Sequence, residues 1–404
     1  MISNLDSIFS NNAKRMKRSA IRECLKLTQQ PDIISFAGGL PSKTSFPYDD
    51  IKQLAVQVIE EDGAAALQYS TTEGDMGLRK ELLKRYQNEG LDHITTDNIV
   101  VTTASQQSLD LIAKILINPG DIILCGLPSY LGGLNAFAVY GPELVGIELD
   151  NYGMRADLLE EKLEALKLAG KKPKFIYVIP DFQNPAGITM PESRRIEIIE
   201  LAHKYDVLII EDSPYREIRF EGVTPPMMHA LDKSGHVVTL GTFSKIFCPG
   251  FRIGWVIAHT SILEKFVQAK QSADLCTSSY LQKIAAKYIE TGMFEKNLQH
   301  IIAEYRDKKN HMISNFEKYM PEGVTWTNPE GGLFLFIYLP KHLDAGKLFH
   351  RAVEKKVAFV QGDVFHCDNS GKNTLRINFS YVDQETNTLG VKRLAEVIKE
   401  AINK

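Results

Sequence analysis

Short β-branched runs alternate along the chain with segments whose apolar residues recur every three or four positions. Ile99 to Thr103 reads as a strand. Ser105 to Ile117 follows as a helix, with Leu109, Ile112 and Leu116 at helical spacing and Asn118, Pro119 and Gly120 ending it. Strand Ile122 to Cys125 comes next, then a turn at Leu127, Pro128 and Ser129 and another helix. Lys174 to Ile179 and Val207 to Glu211 are continuous apolar runs, as expected of strands buried on both faces of a parallel sheet. The helix between them is expected to begin near Pro191, with the proline in the favoured first-turn position. Val237 to Leu240 and Ile253 to Ala258 complete the strand set. Alternation of this kind predicts α/β layering around a mostly parallel central sheet.

The C-terminal third changes character. A long polar helix is predicted from Glu295 to Tyr319. Strands follow at Leu333 to Leu339, Ala358 to Gln361 and Thr374 to Phe379, with helices over Ala345 to Lys355 and Gln384 to Ile402. This pattern predicts a second, smaller α+β unit. The chain is therefore expected to divide into an N-terminal arm and pocket segment (1–45), a large domain (46–292) and a small C-terminal domain (293–404). Asn12 to Gln29 reads as a helical arm that joins no strand alternation.

Composition narrows the function classes. The 404 residues are 44% hydrophobic and 24% charged, ordinary for a soluble globular protein, and too many for one small module. The net charge of -3 argues against a generally basic nucleic-acid surface. The longest apolar run, Leu333 to Leu339, is far short of the roughly 20 residues that cross a bilayer. The N-terminus lacks the basic, apolar, small-residue order of a signal peptide. Cys24, Cys125, Cys248, Cys276 and Cys367 are scattered and odd in number, which argues against a disulfide framework and fits a cytoplasmic location. No HExxH or other metal-ligand spacing appears among the ten histidines.

The strongest chemical signal is the run GTFSKIFCPGFRIG over 241–254, between two predicted strands. Thr242, Ser244 and Arg252 bring two hydroxyls and a guanidinium to one loop, a composition suited to a phosphate. Lys245 beside them can attack an aldehyde when its amine is neutral. The pattern S-K-x-x-x-P-G-x-R-x-G has a chance frequency on the order of 1 in 100,000 in a chain this long. Ser105 and Gln106 lie where a strand becomes a helix, and backbone amides at a helix N-terminus suit a phosphate dianion. Ser105 could also simply cap that helix. Asp212 closes a buried strand, and Arg376 sits amid apolar residues of another, where a guanidinium needs a partner.

These motifs, in this order, resemble the fold-type I pyridoxal 5′-phosphate enzymes, the class I/II aminotransferases, over nearly the whole chain. The run IEDSPYREIRFEG over 210–222 makes the chain similar to the branch containing 2-aminoadipate and kynurenine aminotransferases. The resemblance implies the aspartate aminotransferase-like fold, a homodimer, and a cofactor carried on Lys245. It implies that Asp212 pairs with the cofactor's pyridine nitrogen. Asn184, in DFQNPAG, and Tyr215 would hydrogen-bond its phenolic oxygen. Ser105, Gln106, Thr242, Ser244 and Arg252 would hold the phosphate. Tyr130 would stack on the ring, and Tyr69 would reach across the dimer to the partner's phosphate. Arg376 would bind the substrate α-carboxylate, with Asn184 and Gly39 lining the pocket and Arg22 of the arm contacting the side chain. The family more often has Thr than the Ala found at 186, a conservative departure.

The expected activity is transfer of an amino group from an L-amino acid to a 2-oxo acid, 2-oxoglutarate foremost, by ping-pong chemistry. The expected donor is of 2-aminoadipate, aromatic or branched-chain type. A lyase or decarboxylase would use the same anchoring residues. A third class, regulators that fuse a DNA-binding domain ahead of an aminotransferase-like region, is disfavoured because the familial arm begins near residue 10.

Overall fold

The structure, a computed structural model, describes residues 5–19, 22 and 32–403. Its strands in chain order are β1 (Ile34–Ser35), β2 (Ile99–Thr102), β3 (Ile122–Leu127), β4 (Glu143–Asp150), β5 (Gly153–Met154), β6 (Phe175–Val178), β7 (Leu208–Asp212), β8 (Val237–Thr242) and β9 (Gly254–Ile257). Then come β10 (Thr325–Trp326), β11 (Phe334–Tyr338), β12 (Val357–Ala358), β13 (Val360–Gln361) and β14 (Thr374–Asn378).

Eight strands form one sheet in the order β2-β9-β8-β7-β6-β3-β4-β5. The run β8-β7-β6-β3-β4 is parallel throughout. β9 is antiparallel to both its neighbours, and β5 is antiparallel to β4. Successive strand residues point to opposite faces. Accordingly Ile122, Leu124, Ile176, Val178 and Ile209 enter one apolar cluster with Leu159, Leu163 and Ile198 of the covering helices. Ile123, Cys125, Phe175, Tyr177 and Ile210 enter the other, which runs on into the second sheet.

That second sheet is antiparallel, in the order β10-β11-β14-β13. It packs with the helices Met293–Tyr319, Ala345–Glu354 and Gln384–Ile402. Asp344 and Asp383 cap two of them, each carboxylate accepting backbone amides of the first turn. β1 pairs in parallel with β12, so the segment just after the N-terminal arm belongs to the C-terminal unit.

The structure corrects several sequence-based boundaries. Pro191 is the N-cap of helix Glu192–Tyr205 and not its first helical residue. The strand expected over Ala358 to Gln361 is two strands, one pairing with β1 and the other with β14. The arm does not form one helix from Asn12: the helix Asn11–Arg15 ends at an extended Met16, and 17–19 are not helical. Residues 20, 21 and 23–29 of that expected helix, with Cys24, lie outside the described residues. No described helix is long and apolar enough to cross a membrane.

Candidate active site

In an open parallel sheet the strand C-termini and the loops that follow them form the natural crevice. Here the ends of β3, β6, β7 and β8 open onto a cleft of about 540 Å³, closed on its far side by β14 and the segment around Gly39. Thirteen of the fourteen residues singled out from the sequence line it: Arg22, Gly39, Ser105, Gln106, Tyr130, Asn184, Asp212, Tyr215, Thr242, Ser244, Lys245, Arg252 and Arg376. The fourteenth, Tyr69, does not. It is 78% exposed and stands outside the cleft.

Asp212 ends β7 and is buried. Its Oδ2 accepts a hydrogen bond from the Tyr177 hydroxyl at 2.7 Å, while Oδ1 has no partner among the described residues. Burial pushes the carboxyl up to about 6, against the opposing effect of the Tyr177 hydrogen bond. Tyr177 was not anticipated. Its signal was a hydroxyl inside an otherwise apolar strand, in register with Ile210 and so on the face that carries Asp212 two residues later.

Lys245 follows β8, and its Nζ donates to the Gly39 carbonyl at 2.6 Å. Its ammonium is held down to about 8, first by loss of solvent and then by the charges of Arg376 and Arg252. A useful fraction of the amine is therefore neutral near pH 8.

Arg376 lies fully within β14. Its Nη1 donates to Asn184 Oδ1 at 2.9 Å and its Nη2 to the Ala37 carbonyl at 2.8 Å. The guanidinium carbon stands 4.1 Å from the Phe334 ring centre and 5.0 Å from that of Phe365. Those flanking rings were not assigned a role from sequence. Asn184 Nδ2 donates to the Tyr215 hydroxyl at 3.1 Å, so Arg376, Asn184 and Tyr215 form one chain of contacts between the two sheets. Burial raises the Tyr215 and Tyr130 phenols.

The helix Ala104–Leu116 points its N-terminus into the cleft, with Ser105 and Gln106 in its first turn. Thr103 is its N-cap and makes no side-chain cap bond, so Ser105 does not cap it. The first-turn amides lack intrahelical acceptors. Gly254 of β9 permits this placement: a Cβ there would lie 2.5 Å from the Ser105 amide nitrogen and 2.6 Å from the Ala104 carbonyl carbon. Across from the helix end, Thr242 Oγ1 meets Ser244 Oγ at 3.0 Å, and Arg252 adopts a left-handed conformation at φ 54°. Gln106 Nε2 donates to the Gly132 carbonyl at 3.0 Å, holding the turn after Tyr130.

The sequence profile of the family "Aminotransferase class I and II" matches residues 31–394. The chain is 47% identical over 399 residues to aromatic-amino-acid aminotransferase 1 of Thermococcus litoralis, covering 99% of this chain and 96% of that protein. It superposes on kynurenine aminotransferase from Pyrococcus horikoshii, solved in complex with PMP, with a TM-score of 0.96 and 45% identity, covering 100% of this chain and 99% of the other. On the α-aminoadipate aminotransferase of Thermus thermophilus, complexed with N-(5′-phosphopyridoxyl)-L-leucine, the TM-score is 0.91 at 35% identity, with 99% of each chain covered.

Proposed function

Because this chain belongs to the class I and II aminotransferase family, a pyridoxal 5′-phosphate transaminase, we propose that its donors are 2-aminoadipate, aromatic or branched-chain L-amino acids, with 2-oxoglutarate as acceptor. The observation that carries this reading is the partly neutral Lys245 amine in one cleft with the buried Arg376 and an Asp212 oxygen that has no partner among the described residues.

The residues fit the cofactor. A hydrogen-bonding ring nitrogen would satisfy Asp212 Oδ1, and the helix end kept open by Gly254 suits a phosphate dianion. When bound, pyridoxal 5′-phosphate supplies an aldehyde for the amino group and a pyridinium ring that draws electrons from the α-carbon. Asp212 holds the ring nitrogen's proton. Asn184 and Tyr215 would hold the phenolic oxygen by hydrogen bonds, and Tyr130 would lie against the ring. Ser105, Gln106, Thr242, Ser244 and Arg252 hold the phosphate. Arg376 would pair with the substrate α-carboxylate and so orient the amino acid in the cleft that holds Lys245. Lys245 Nζ, partly neutral in this cleft, would take the proton from the substrate α-carbon and hold it for return. Gly39 shapes the pocket, and Arg22 pairs with a distal carboxylate.

We propose further that the protein works as a cytoplasmic homodimer in amino acid biosynthesis. The exposure of Tyr69 supports a dimer in which this side chain completes the partner's phosphate site. Domain limits at 45/46 and 292/293 belong to the same reading, supported by the pairing of β1 with β12 and by the long helix Met293–Tyr319.

The test is optical. Each candidate donor, added alone to the cofactor-loaded protein, should bleach the cofactor's visible band, and 2-oxoglutarate should restore it. A band that no donor changes would overturn the donor assignment.

A further inference from the structure

At the opposite end of the large sheet from the cleft, three side chains converge without any role in transamination. His203 lies in the last turn of helix Glu192–Tyr205, and Asp232 and His236 flank the turn that leads into β8. One ligand atom from each lies within 4.8 Å of the others. His203 Nε2 is 3.0 Å from Asp232 Oδ1. Ser234 Oγ sits among them, 2.7 Å from Asp232 Oδ1, 2.7 Å from His203 Nε2 and 2.7 Å from His236 Nδ1. A hydroxyl carries one proton and can donate to only one of these three. Ser234 is exposed and can turn towards solvent.

We propose that His203, Asp232 and His236 form a binding site for a divalent transition-metal ion of zinc type. Two imidazole nitrogens and one carboxylate oxygen are the donor set such ions prefer. Tetrahedral zinc ligands stand about 3.3 Å apart, so closure needs at most about 1.5 Å of side-chain movement. The surroundings are those of a built site. Asp232 is buried, and its Oδ2 accepts the Val237 amide at 2.9 Å, which fixes the carboxylate. His236 Nε2 faces Asp206 Oδ1 at 3.3 Å, so a second carboxylate orients the imidazole that would bind through Nδ1. Asp206 is itself held by Lys172 at 2.5 Å. The ion would join the end of helix Glu192–Tyr205 to the turn feeding β8. Its role is to staple the base of the sheet.

Zinc titration of the EDTA-washed holoenzyme by calorimetry tests this. One ion per chain is expected, with a higher melting temperature when zinc is present. His203→Gln and His236→Gln should each weaken binding by at least about tenfold, and Asp206→Asn by about tenfold. Ser234→Ala should retain it. All four variants should keep the wild-type transamination rate, which separates this site from the cleft. Absence of stoichiometric binding by the wild type would overturn the proposal. So would binding that survives unchanged in the His203→Gln/His236→Gln double variant.

Discussion

Replacing Asp212 with Asn should stabilise the cofactor-free protein while disabling the enzyme. Burial raises the Asp212 carboxyl from an ordinary 3.8 to about 6. A displacement of that size is worth about 3 kcal/mol of folding free energy. Its sign follows from the direction: with the folded value above the unfolded one, the contribution is full below about pH 4 and is lost as pH rises through about 6. Above pH 6 the folded protein therefore holds a buried charge whose Oδ1 has no partner among the described residues and whose Oδ2 is stabilised by the Tyr177 hydrogen bond. Asn carries no charge, and its carbonyl can still accept from Tyr177. Urea unfolding of the cofactor-free protein at pH 8 should show Asp212→Asn more stable by up to about 3 kcal/mol, with the gain shrinking as pH falls from 6 towards 4. Steady-state transamination by the loaded variant should fall by roughly 100-fold or more, since an amide cannot hold a positive ring nitrogen. A variant no more stable than wild type at pH 8 would refute the claim that this carboxylate is held at a cost to the fold.

Lys245→Ala should abolish steady turnover while leaving the far-ultraviolet circular dichroism unchanged; substantial residual turnover would remove Lys245 from the chemistry. Gly254→Ala drives a methyl group into the backbone at Ala104 and Ser105. Overpacking of this kind costs about 1–3 kcal/mol, so cofactor affinity should weaken by about tenfold in a fluorescence titration. Arg22→Ala should raise KM for glutamate and 2-aminoadipate more than for leucine or phenylalanine; equal effects would place Arg22 away from the distal carboxylate.

What the sequence made legible was chemistry that is local along the chain. Lys245, Thr242, Ser244 and Arg252 share one loop, and Asp212 and Tyr215 another, so their composition alone marks them. Arg376 was visible as a charge in an apolar run. Contacts fixed by register or by packing between sheets were not. Tyr177 reaches Asp212 only because β6 and β7 pair as they do, and Phe365 reaches Arg376 from a turn eleven residues upstream in sequence. The break between β12 and β13 is equally non-local, since the two halves answer to different partners, β1 and β14. β4 escaped notice because most of its residues are only partly buried, which blurs the apolar pattern. Tyr69 sets a different limit: its predicted role needs a second chain, and one chain leaves it exposed.

The site's charges also suggest why binding and base strength go together. Loss of solvent is the largest influence on Lys245, and a ligand that excludes water does not relieve it. The remaining depression comes from Arg376 and Arg252, and those two guanidiniums are the groups assigned to the substrate carboxylate and the cofactor phosphate. An anion brought beside each cancels part of the repulsion they exert on the Lys245 ammonium. The two guanidiniums thus favour a neutral amine, the form that attacks a carbonyl. Anions beside both would make the amine bind a proton more tightly, as a base removing the α-proton must. On the proposed assignment of Arg376, an amine without a carboxylate would supply no anion there and would meet a weaker base, so discrimination against it is expected in kcat as well as in KM.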